Sequence, residues 1–184
     1  MSLPNKIILL DSDVISHFIA NNCLVDLPVI LSPHQCVVVD YVYAEIARNP
    51  FRKAVLDGII ASNAIQLMPF PNSDLAIKIE FAQIKKRNYL IGDGERACMA
   101  IAKYKDDIIA SSNFRDIAPY CQLNGIYYLG TLDILTIAAN NEVYDEAQCD
   151  TFIQNAISFN KARFPKGITQ MRYYTPPDLS FIEV

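Results

Sequence analysis

Short runs of β-branched and aliphatic residues, each followed by a helix-forming stretch, constrain this chain more than any other feature. They are "KIILL" (6–10), "CVVVD" (36–40), "AIQLMPF" (64–70), "DIIASS" (107–112) and "GIYYLG" (125–130). The runs are nearly continuous, without the polar–apolar alternation of a half-exposed strand, as expected of strands covered on both faces. Helical stretches lie between them: one capped by Ser12 and running to Phe18, one capped by Asp40 with Tyr43, Glu45 and Ile46, and one following Ser73 in "DLAIKIEFAQIKKR". "GDGERACMAIAKYK" (92–105) and "TLDILTIAA" (131–139) complete the series. Alternation of this kind predicts an α/β fold with a parallel sheet and right-handed crossovers.

A chain of 184 residues, 52% hydrophobic, is long enough to bury one such core. Residues 1–140 read as the main domain and 141–184 as an extension packed on it. The extension holds one helix near 145–160, then the Pro- and aromatic-rich "RFPKGITQMRYYTPPDLSFIEV". No apolar run approaches the roughly 20 residues of a membrane span, and no signal peptide is evident. Five scattered cysteines without a CxxC pair argue against zinc and for reduced thiols in a cytoplasmic protein, with Cys36 and Cys98 as core residues. The net charge of -4 gives no general attraction to nucleic acid, so a polyanion site must be local or metal-assisted.

In an open parallel sheet, ligands bind beyond the carboxyl ends of the strands. Four crossover points offer acids or their relatives to that rim: Asp11 and Asp13; Glu45; Asp93 and Glu95; and Ser111, Ser112, Asn113 and Asp116. Each has an ordinary structural use, because Asp11, Asp40, Asp93 and Asn113 are good N-cap residues and Glu95 suits a first helical turn. Taken together they point elsewhere. Two carboxylates 4 Å apart repel by about 4 kcal/mol at an effective dielectric near 20, and a hard divalent cation is the usual means of holding several together.

The stretches "IILLDSDVISHF", "VVVDYVYAEI", "GDGERACMAIAKY" and "DIIASSNFRDIAPYCQLNGIYYLGTLDIL" resemble, in order and spacing, the PIN domain of VapC-like toxin ribonucleases, over about residues 6–140. The likeness is to the branch with a Gly-Glu pair in the third stretch and a Gly-Thr before a late helix. It implies a three-layer PIN-like fold with a four- or five-stranded parallel sheet flanked by helices, a Mg²⁺ or Mn²⁺ site and metal-dependent cleavage of RNA. Carried onto this chain, it implies catalytic Asp11, Glu45, Glu95 and Asp116, and metal ligands Asp11, Glu45, Asp93, Glu95 and Asn113. Asp13 joins Asp116 in orienting waters or ligands around them. Where the family usually carries an Asp after the fourth strand, this chain has Ser111-Ser112-Asn113, and Asn113 brings a carbonyl oxygen without charge.

Substrate contacts are expected from Ser12, Arg96, Ser112, Asn113 and Arg115. Further phosphate-binding candidates are Lys85, Lys86 and Arg87 and, in the extension, Lys161, Arg163, Lys166 and Arg172, with Tyr173 and Tyr174 as possible base-stacking groups. The expected partners are RNA, a small antitoxin protein and a second copy of the chain. His17, one helical turn beyond Asp13, is expected to be structural. Two alternatives stand beside the ribonuclease. One is a degenerate PIN fold that binds protein or RNA without activity. The other is a haloacid-dehalogenase-like phosphatase with Asp11 as nucleophile and Asp13 as acid, although its later motifs would fall in the wrong order.

Overall fold

The computed structural model describes residues 6–165 and 168–182. Its centre is β1 (Ile7–Leu10), where Ile8, Leu9 and Leu10 are wholly buried. On one side β1 pairs in parallel with β2 (Gln35–Val39), and β2 pairs with β3 (Gln66–Met68). On the other side β1 pairs with β4 (Ile108–Ala110), which pairs with β5 (Tyr128–Leu129). The order β3-β2-β1-β4-β5 is a five-stranded parallel sheet that the chain fills outward from its middle, first one way and then the other. Ile8 lies in register with Cys36 on one side and Ile108 on the other, so three apolar runs sit shoulder to shoulder. The intervening helices cover both faces of the central strands, while the edge strand β3 stays largely exposed.

Helix α1 (Ser12–Ala20) leaves β1 directly, with Asp11 as its cap: the Asp11 carboxylate accepts from the Ser12 amide. Ser12 is therefore the first helical residue and not the cap. A 3₁₀ turn (Leu24–Asp26) and α2 (Leu27–Ile30) lead to β2. Helix α3 (Asp40–Ile46) follows without a loop; Asp40 lies inside it, its carboxylate accepting from the Tyr41 amide. Asn49 caps α4 (Pro50–Ala61), which has proline at its first position, where no amide is needed. Asp74, and not Ser73, caps α5 (Leu75–Arg87) by accepting from the Ala76 and Ile77 amides. Helices α6 (Asp93–Lys105), α7 (Phe114–Asn124) and α8 (Thr131–Asn140) follow.

Helix α9 (Glu146–Asn160) begins with a reciprocal cap between Asp145 and Gln148 and lies against α1, where Phe152 meets Phe18 edge-on at 4.8 Å. The later chain is tied back: the Met171 amide donates to Asp150, the Tyr174 hydroxyl donates to Asp133 at 2.6 Å, and Phe181 stacks on Tyr127. The sulfurs of all five cysteines are free, and Cys36 and Cys98 are buried. Among the described residues no helix is long and apolar enough to cross a membrane.

Candidate active site

The sheet changes direction between β1 and β4, so the loops leaving these two strands diverge and open a crevice at their carboxyl ends. Asp11 follows β1 and Ser111 follows β4, and the Ser111 hydroxyl donates to Asp11 Oδ2 across the crevice at 2.9 Å. Asp11 Oδ1 accepts from the Ser12 amide at 2.7 Å. Asp13 is bound twice: Oδ1 accepts from the Val14 amide at 2.6 Å, and Oδ2 from the Ser112 amide at 2.9 Å. These contacts fix both carboxylates to backbone at the rigid end of the sheet.

Glu45 and Glu95 come from the helices on either side of a second junction. Glu45, half-buried on α3, accepts from the Gly94 amide at 2.9 Å and so ties α3 to the first turn of α6. Glu95, one residue later, is 5% exposed. Its Oε2 accepts weakly from Asn113 Nδ2 at 3.4 Å, while its Oε1 is buried with no hydrogen-bond partner. Asn113 Nδ2 also donates to Asp116 Oδ2 at 2.7 Å. One side-chain amide thus links the acids of α6 and α7.

Electrostatics follow from this crowding. Burial, together with the charge of Glu45, outweighs the hydrogen bonds from Ser12 and Ser111 and raises Asp11 to about 6. Asp13 rises to about 8, through burial and then through Asp11. Glu95 rises to about 9, through burial and then the charges of Asp11, Asp116 and Asp13. The acids do not, however, form a finished metal shell: among the described residues, no three His, Cys, Asp or Glu side chains meet closely enough to hold an ion as they stand. The fit to a hard cation lies in the donor chemistry, all oxygen, and in the buried Glu95 Oε1 that nothing satisfies.

The acids Asp11, Asp13, Glu45, Glu95 and Asp116 thus converge with Ser112 and Asn113. Ser12 contributes its backbone amide. Arg115 is 88% exposed at the cleft, with a loose contact to Asp116. Several expected contacts are not presented to the cleft. Arg96 is buried: its guanidinium donates to the Ile91 carbonyl at 2.7 Å and to Asp93, beside the Phe81 ring. It is an internal strut holding the loop before α6 and does not present its guanidinium to the cleft, and the half-exposed Asp93 is its ion-pair partner. Among the phosphate-binding candidates, Lys85, Lys86 and Arg87 form the last turn of α5 and line no part of the cleft. Tyr174 is occupied by Asp133, and Arg172 lies over the Tyr173 ring. Lys166 lies outside the described residues.

Thr131 is a member that the sequence reading did not assign. Its hydroxyl contacts Ser112 Oγ at 2.7 Å and His17 Nδ1 at 2.8 Å, and its amide donates to Ser112 Oγ at 3.1 Å. The signal was the Gly130-Thr131 step opening α8. His17 is buried, and burial followed by the Arg52 charge lowers it to about 4, so it is neutral near pH 7. It braces the Ser112 loop, as its expected structural role requires.

No family model matches the chain, and no curated protein matches it. Among solved structures the chain is similar to a chain of VapBC2 from Rickettsia felis, bound to a DNA fragment from their promoter. The match has a TM-score of 0.50 at 10% identity and covers 67% of this chain and 98% of that one. At such identity the likeness speaks to the fold: this is a PIN-like three-layer α/β fold with a five-stranded parallel sheet.

Proposed function

We propose that the chain is a metal-dependent endoribonuclease of the PIN type. The observation that carries this reading is the buried, unpartnered Glu95 Oε1 at the sheet's switch point, within electrostatic reach of Asp11, Asp13 and Asp116. Asp11, Glu45 and Glu95 would hold Mg²⁺ or Mn²⁺. A bound ion supplies Lewis-acid polarisation of a phosphodiester and a lowered pKa for water. The chain's own groups hold the acids ready: Ser12 and Ser111 orient Asp11, the Gly94 amide orients Glu45, and Asn113 steadies Glu95 and Asp116. The partners of this reading are RNA, a small antitoxin protein and a second copy of the chain.

The test is Asp11→Asn, which keeps a capping oxygen for α1 and removes the charge. Mn²⁺-dependent cleavage of RNA by the purified protein falls to background while thermal unfolding stays cooperative. Undiminished cleavage would defeat the assignment. One observation favours a second reading, an inactive PIN fold that binds protein or RNA. Asn113 donates to Glu95 and Asp116 together and so softens their repulsion without an ion. Calorimetry showing no Mn²⁺ binding at millimolar concentration would select it. The phosphatase reading meets an Asp11 that is buried and has both oxygens engaged, a poor posture for a nucleophile.

A further inference from the structure

After α9 the chain reverses. Lys161 takes a left-handed conformation (φ 54°) at the helix end, and residues 160–165 return toward the carboxyl end of the sheet. They form one side of an open cleft of about 620 Å³ whose other lining includes Asp13, Ser112, Asn113, Arg115 and Asp116. The returning segment, Asn-Lys-Ala-Arg-Phe-Pro, carries two cations and no acid. Lys161 and Arg163 are both exposed, and among the described residues neither forms an ion pair. At the same cleft Asn160 accepts from Arg52 through its carbonyl oxygen, and its Nδ2 is buried without a partner. A protein of net charge -4 has thus placed unpaired cations, an orphan donor and the Phe164 ring beside its acidic centre.

We propose that residues 160–165 are the phosphate-binding wall of this cleft. A single strand of RNA lies between that wall and the acids, with Lys161, Arg163 and Arg115 on backbone phosphates flanking the scissile one. Phosphate contacts of this kind carry affinity without sequence preference, and a groove of cations with an aromatic beside it suits one unpaired strand. The assignment deepens the ribonuclease reading and rests on it for the identity of the cleaved bond, but the wall itself can be measured without cleavage.

The experiment uses full-length Asp11→Asn protein in chelator and a short fluorescein-labelled single-stranded RNA, with affinity followed by anisotropy across a salt series. Lys161→Asn, chosen because Asn tolerates the left-handed backbone, is combined with Arg163→Gln. Each lost phosphate contact lowers the steepness of log K against log salt by about 0.7 for a single strand, so the pair lowers it by about 1.4. An unchanged slope overturns the wall. An equal loss in Lys85→Gln/Lys86→Gln, whose side chains do not line the cleft, also overturns it, because binding would then be diffuse. Duplex DNA competing as well as unlabelled RNA overturns the single-strand assignment. Cleavage that depends on Asp11 alongside an unchanged slope removes the wall and leaves the nuclease; a reduced slope in a protein whose parent never cleaves does the reverse.

Discussion

At the scale of single residues, Asn113 sets how much negative charge the centre must tolerate unaided. Its amide donates to Glu95 and to Asp116, and replacing it with a carboxylate turns both contacts into repulsions in a poorly solvated site. Asn113→Asp therefore lowers the melting temperature of the metal-free protein. The same change supplies one more hard anionic ligand, so the upward shift of melting temperature on adding Mn²⁺ grows; a tenfold gain in affinity adds about 1.4 kcal/mol at saturating metal. Calorimetric melts with and without Mn²⁺ check both signs, and a variant whose melting temperature responds to Mn²⁺ no more than the parent's contradicts the metal assignment. Glu45 and Glu95, which lie on helices, were marked only by the resemblance in motif order, whereas Asp11 and Asn113 were legible in the sequence because topology sends strand ends to one rim. The fate of Arg96 was not. It stands next to Glu95 in sequence, but a helix turns neighbouring residues to different faces, and its guanidinium goes under Phe81 to the Ile91 carbonyl.

Among the elements, the junction of α3 and α6 matters most, since it delivers both glutamates. Gly94 makes that approach close: a Cβ there would lie 2.9 Å from Val42 Cγ2 and 3.0 Å from Glu45 Oε1. Val42 is fully buried and cannot yield, so Gly94→Ala strains the junction and displaces the Glu45 carboxylate. Overpacking of this size costs about 1–3 kcal/mol, against a gain in helix preference of at most about 1. With the full gain subtracted, the net expectation is a loss of about 0–2 kcal/mol in urea unfolding and a weakened response to Mn²⁺. Gly58, mid-way along α4 with nothing within 4 Å of its would-be Cβ, is the contrast: Gly58→Ala stabilises by about 0.4–1 kcal/mol. The strands and α8 were legible because their apolar residues are dense, and α6 because Gly-Asp-Gly punctuation precedes a run of good helix formers. Helix α4, with Leu56 as its buried anchor, and α7, where Pro119 interrupts a helical pattern, were not legible. Helix α2, four residues long, is too short to display a period.

Across the whole molecule, the sheet order follows from alternation and crossover rules, whereas the return of residues 160–165 to the cleft depends on one left-handed residue that no apolar pattern announces. The concentration of acids at one rim also gives the folded protein a pH signature. Asp13 and Glu95, raised to about 8 and about 9, bind protons more tightly in the folded chain than in the unfolded one, where they titrate near 4. Stability from such groups is fully present below the unfolded value and is lost as pH rises toward the folded value. His17, lowered to about 4, acts oppositely, and its contribution is lost as pH falls below about 6.5. The two effects overlap between about pH 4 and 6.5, but above that only the acids remain. In chelator, therefore, the unfolding free energy falls from about pH 6.5 to 9, by at most about 1.4 kcal/mol per pH unit for each proton involved, and the melting temperature falls with it. Glu95→Gln, which stays neutral throughout, flattens the slope. Millimolar Mn²⁺ flattens it too, since a bound cation replaces the protons as the charge that keeps the carboxylates together. A melting temperature that rises with pH over this range in chelator would mean that the acids are solvated apart from one another, and the case for a shared cation would go with it.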